Sequence, residues 1–174
     1  MAKASVCISL SFILSFFNIF QLPSGGGVSL ESLPLMILAW SEGPAAGLAG
    51  GIACGMLLLM KPSCIVHPLQ FLLDYPIALS SFAIVGFIGK NSGHIKKWAM
   101  SASAFTARAL CHTLSGVLFC SLFLKTPPEN ILIYSAAYNL SYMVPTAIIC
   151  SILFIWISSG IEKRNMPQSE RESK

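Results

Sequence analysis

Long apolar runs separated by short polar breaks divide the chain into six segments, each of which predicts a helix. Residues 5–22 (SVCISLSFILSFFNIFQL) carry no charge and predict the first helix. It is read as retained rather than as a cleaved signal peptide, because no A-x-A-like site follows and further apolar segments do. The stretch 22–32, LPSGGGVSLES, holds three consecutive glycines that a helix does not sustain, and predicts a connector or a mobile lid. A short apolar segment, 33–41, is broken by SEGP before a third segment at 45–60. KPSCIVHP (61–68) carries two prolines and predicts a turn, and the fourth helix follows at 69–89. Residues 98–124 and 131–161 predict the fifth and sixth helices, with KNSGHIKK (90–97) and KTPPEN (125–130) as connectors. The last run is longer than one span needs, and Pro145 predicts a bend or a partly non-helical start. Residues 162–174 predict a polar tail.

Composition turns these segments into membrane spans. The chain has 174 residues, of which 55% are hydrophobic and 10% charged, and its mean hydropathy is +0.73. Soluble domains carry about 25% charged residues, so the expectation is an all-α integral membrane protein. It has one six-helix transmembrane domain, residues 1–161, and no soluble domain. The net charge of +4 points to no nucleic-acid partner, because the basic residues sit at helix ends, where they orient a membrane protein. Six spans put Lys3, Lys90, Lys96, Lys97, Lys163, Arg164, Arg171 and Lys174 on one side. The positive-inside rule then predicts a multi-pass protein of the cell membrane with both termini cytoplasmic.

Small residues recur where helices should touch. Gly43, Gly47, Gly51 and Gly55 repeat every four residues, and Ser5/Ser9 and Ser11/Ser15 show the same spacing, which suits close packing of helices. The six cysteines show no ligand spacing and read as small apolar residues. No motif for ATP binding, zinc hydrolysis or a serine nucleophile is present. Neither enzymatic activity nor a metal or other cofactor is expected, and any ATP would be hydrolysed by partner subunits.

Ionisable groups within spans are functional candidates. Asp74, followed by Tyr75 and Pro76, lies near the outer end of the fourth helix under the predicted topology. His112 falls in the outer half of the fifth, and Tyr134, Tyr138, Asn139 and Tyr142 fall near the outer end of the sixth, all below the glycine loop. Tyr138 and Tyr142 read as an aromatic belt. A carboxylate, an imidazole, a carboxamide and aromatic rings at one depth suit a small, flat, cationic molecule taken from outside.

Four stretches in order, LPSGGGVSLESLP, DYPIA, RALCHTLSGVLF and YSAAYNLSYMVP, resemble the thiamine-specific substrate-binding subunit (S-component) of energy-coupling factor transporters, the ThiT or YuaJ type. The resemblance covers roughly residues 5–160. It implies a six-helix subunit that binds thiamine through Asp74, Tyr75, His112, Tyr134 and Asn139. It departs from the family in placing Asp74 where a glutamate is usual, and Cys120 where some members carry a stacking tryptophan. The implied partners are a transmembrane coupling subunit and two cytoplasmic ATPases. Gly25, Gly26 and Gly27 would gate the site, and the region of Ser5 and Ser9 would dock the coupling subunit. Two alternatives stay open: a self-sufficient proton-coupled transporter of thiamine or another small cation, and an S-component for another vitamin.

Overall fold

Gly47, Gly51 and Gly55 sit where the third helix of the chain meets the backbone of the fourth. A Cβ on Gly51 would stand 2.6 Å from the Leu79 carbonyl oxygen, and one on Gly55 would stand 2.5 Å from Pro76 Cα. Without side chains there, two helix backbones come into direct contact. In the computed structural model, residues 2–22, 26–61, 65, 67–89, 92–124 and 128–165 are described. Gly25, Lys90, Arg171, Lys174 and the end of the tail from 166 lie outside them.

Six helical stretches form the bundle: α1 (Ala2–Leu14), α2 (Ser32–Glu42), α3 (Pro44–Met60, closing in a 3₁₀ turn), α4 (Pro68–Phe87), α5 (His94–Phe123) and α6 (Ile131–Asn165). Helix α2 is the centre. Leu35, Met36, Leu38 and Ala39 are fully buried on all its sides, as expected of a helix that is apolar all round. Gly43, at φ +94°, makes the break between α2 and α3. This left-handed conformation favours glycine. Helices α5 and α6 run antiparallel. Ser135 Oγ donates to the Thr113 carbonyl (3.0 Å) at one end, and Lys97 Nζ meets Glu162 Oε2 (2.7 Å) at the other.

The outer surface is apolar. Leu110, Leu114, Leu118 and Leu122 on α5 are all at least half exposed, one per turn along a single face. Helices α4 and α6 are each long and apolar enough to cross a membrane.

The structure departs from the sequence reading in three places. The first helix stops at Leu14, and residues given to its end form β1 (Asn18–Gln21). This strand pairs antiparallel with β2 (Gly27–Ser29), so Gly27 of the glycine loop belongs to a β-strand. The fifth helix starts at His94 and the sixth runs without interruption to Asn165. Lys97 and Glu162, read as parts of a connector and a tail, are therefore helical, and Lys97 is fully buried. Its ammonium also lies 5.7 Å from the Trp40 ring.

The third departure is inside α4. Leu73–Ile77 form a π-turn and Ser81–Phe87 a 3₁₀ stretch. Pro76 has no N–H and its ring crowds the carbonyl of the preceding turn, which a widened turn relieves. Asp74 sits in that turn, and Gly55 of α3 is its seat.

Candidate functional site

Asp74 and His112 meet between α4 and α5. Asp74 Oδ1 lies 3.2 Å from His112 Nδ1, with the side chains 18% and 14% exposed. Gln70, one turn before Asp74 and buried, donates from Nε2 to Asp74 Oδ2 at 3.2 Å. Both oxygens of a carboxylate close to the hydrocarbon are thus engaged, which offsets part of its desolvation cost.

One turn before His112, Arg108 is buried over the Phe82 ring. Its guanidinium pairs with Glu31 and donates to Ser32 Oγ at 2.6 Å and to His112 Nε2 at 3.4 Å. Glu31 stands between β2 and α2, so the Arg108 ion pair fastens the foot of the hairpin to α5.

The hairpin lies against α6. Gly26 N donates to Tyr138 Oη at 3.0 Å, and a Cβ on Gly26 would stand 2.5 Å from the Tyr142 ring. Tyr138 and Tyr142 contact edge to face with ring centres 5.8 Å apart. Tyr142 Oη donates to Asn139 Oδ1 (2.7 Å), and Asn139 Nδ2 donates to the Ser135 carbonyl (2.9 Å). A cavity of about 10 Å³ remains between Gly27, Glu31, Arg108 and Tyr142, room for about one water. Pockets that enclose a drug-sized molecule hold roughly 300–1,000 Å³, far more than this one.

Of the residues singled out from the sequence, Asp74 and His112 are in direct contact. Tyr75 stacks on Phe71 at 5.4 Å, beside Asp74 in the same π-turn. Asn139 is buried and bonded to Ser135 and Tyr142 rather than to the Asp74–His112 pair. Tyr134 stays apart, 42% exposed on the regular helix α6. Five residues on a helix turn about 140°, which puts Tyr134 and Asn139 on different faces. Gly26 and Gly27 lie over Tyr142 and beside Asn18. Ser5 and Ser9 are on the exposed face of α1, near Val6 and Leu10.

Glu31, Gln70, Tyr138 and Tyr142 were not read as site residues. Glu31 could have been found by asking what neutralises Arg108, since a buried guanidinium demands a counter-ion. The positions of the two tyrosines suit an aromatic belt, and nothing in their spacing shows that a hairpin covers them.

The chain is similar to known proteins in sequence and in fold. The family described as thiamine transporter protein (Thia_YuaJ) matches residues 1–165. The thiamine transporter ThiT of Bacillus subtilis (strain 168) is 34% identical over 149 residues, which is 76% of this chain and 75% of that protein. A solved structure of ThiT from Listeria monocytogenes superposes with a TM-score of 0.78 at 21% identity, covering 91% of this chain and 92% of that one.

Proposed function

Since the chain belongs to the thiamine transporter (Thia_YuaJ) family of membrane proteins, we propose that it is the substrate-binding subunit that captures thiamine from outside the cell. The observation that carries this reading is the Asp74–His112 pair, a partly buried carboxylate and imidazole at 3.2 Å, joined through Arg108 to the cavity that Arg108 lines. Thiamine has an aminopyrimidine, which donates hydrogen bonds, and a cationic thiazolium ring. Asp74 accepts from the amine and contributes the compensating charge, and Tyr75 supplies an aromatic wall. His112 and Asn139 complete the polar edge, and Tyr134 contributes from the rim.

The cavity must enlarge to admit the vitamin. The movable element is the β1–β2 hairpin, where a Cβ on Gly26 would collide with the Tyr142 ring of α6 and one on Gly27 would press on Asn18 and Phe20 of β1. Gly25, adjacent in sequence, is part of the same proposed gate. The chain lies in the cell membrane as a multi-pass protein with both termini cytoplasmic, the side favoured by its basic residues.

Import is driven by partners. A transmembrane coupling subunit docks on the exposed face of α1 that carries Ser5 and Ser9, and two cytoplasmic ATPases supply the hydrolysis. The chain itself needs no cofactor. Calorimetric titration of the purified protein with thiamine tests the central claim. Saturable heat at micromolar vitamin is expected, and its absence overturns the reading.

A further inference from the structure

Five side chains from three parts of the fold form an unbroken series of polar contacts. Gln70 reaches Asp74, Asp74 meets His112, His112 receives Arg108, and Arg108 pairs with Glu31. Complementarity decides where the protons sit. A guanidinium has donors only, so the His112 Nε2 that Arg108 faces must present its lone pair. A neutral imidazole with an open Nε2 carries its proton on Nδ1, the atom 3.2 Å from the acceptor Asp74 Oδ1.

We propose that Arg108 is a positioning residue, which holds His112 as the neutral Nδ1–H tautomer and ties the Asp74–His112 pair to Glu31 at the foot of the hairpin. Arg108 acts through His112, from a buried position fixed by several bearings. One nitrogen goes to Ser32 Oγ, one to Glu31 and one to His112. That rigid planar fork is what a lysine cannot reproduce.

The second consequence is mechanical. Glu31 lies two residues past Ser29, the last residue of β2. When the hairpin shifts, Glu31 draws on the guanidinium, and the guanidinium is what orients the imidazole. Coupling between two sites is reciprocal, so whatever engages Asp74 also alters how firmly the hairpin is held. This coupling rests on the proposed binding of thiamine at Asp74. The tautomer assignment does not.

The experiment is ¹⁵N NMR of histidine-labelled full-length protein in lipid nanodiscs near neutral pH, with His112 assigned by loss of its signals in His112→Gln. Wild type is expected to show a protonated-type Nδ1 and an unprotonated-type Nε2 without any ligand. Arg108→Lys keeps a cation beside Glu31 and therefore the fold, and is expected to give a second His112 form protonated at Nε2. A thiamine titration of Glu31→Gln, Asp74→Asn and the double variant is expected to be non-additive by about 5-fold or more. An Nε2–H form in wild type, an unchanged tautomer in Arg108→Lys, or an additive cycle overturns the proposal. Should wild type bind no thiamine at all, the transport reading falls, and the tautomer result decides the role of Arg108 by itself.

Discussion

Lys97 and Glu162 close one end of the α5–α6 pair at 2.7 Å, while Asp74 and His112 meet on the same α5 helix further along the chain. Fifteen residues, about four helical turns, separate Lys97 from His112. The bundle therefore carries two polar clusters at different depths. One packs its fully buried cation against Trp40 in the core, and the other, partly buried, reaches the cavity through Arg108. The first is expected to govern stability and the second recognition, and substitutions separate them.

Lys97→Met removes the fully buried cation from its 2.7 Å pair with Glu162, which is 13% exposed on its side chain. Breaking one partner of a buried pair costs about 3–5 kcal/mol, whereas an apolar replacement of both is close to neutral. Thermal unfolding in detergent is expected to show a large loss for Lys97→Met and recovery in Lys97→Met/Glu162→Leu. Thiamine affinity of the double variant should match wild type.

Asp74→Asn keeps size and helical position but removes the charge that faces the ligand and His112. A hydrogen bond to a charged group contributes about 1.5–3 kcal/mol. Thiamine binding is expected to weaken by about 10- to 150-fold, with the unfolding temperature nearly unchanged. Wild-type affinity in the calorimeter would remove Asp74 from the site.

Tyr138→Phe deletes the acceptor of the Gly26 N–H bond and leaves the ring contact with Tyr142. A bond of this kind contributes about 1 kcal/mol, so the hairpin should open more readily. Stopped-flow displacement is expected to show thiamine leaving about 5-fold faster, and an unchanged release rate would mean that the hairpin does not retain the ligand.

Gly55→Val places a branched side chain against Pro76 and Tyr75, whose backbone would stand within 3 Å of the new Cβ. Overpacking of this kind costs about 1–3 kcal/mol. Because the displaced backbone carries Asp74, binding should fall together with stability, in contrast to Asp74→Asn. Loss of stability with full affinity would show that the π-turn is not seated by α3.

The helical segments and the glycine stripe were legible because each follows from one-dimensional pattern. Apolar run length marks helices such as α4 and α6, and four-residue spacing marks Gly47, Gly51 and Gly55. The end of the first segment was not. Asn18–Gln21 is uncharged like the residues before it, and only pairing with Gly27–Ser29, a contact between separate stretches, makes it a strand. Asp74 and His112 stood out as charges and rings within apolar runs. Their partner network did not, because Gln70, Glu31 and Ser32 become relevant only when α2, α4 and α5 are side by side. Asn139 and Tyr134 were singled out together. The unbroken α6 turns them to different faces.

The π-turn at Leu73–Ile77 holds one residue more than an ordinary helical turn would. In that sense the carboxylate is mounted on a surplus residue. Removing a single residue from this turn would let α4 close into regular helix, as apolar and as able to cross a bilayer as before. Everything upstream and downstream would keep its alignment, because a widened turn absorbs its extra residue without the rotation of about 100° that a deletion from regular helix causes, and the change would fall on the turn itself, which carries Asp74. A shortened gene could thus yield a chain that folds, inserts and packs, yet has lost the geometry of its recognition site with one widened turn.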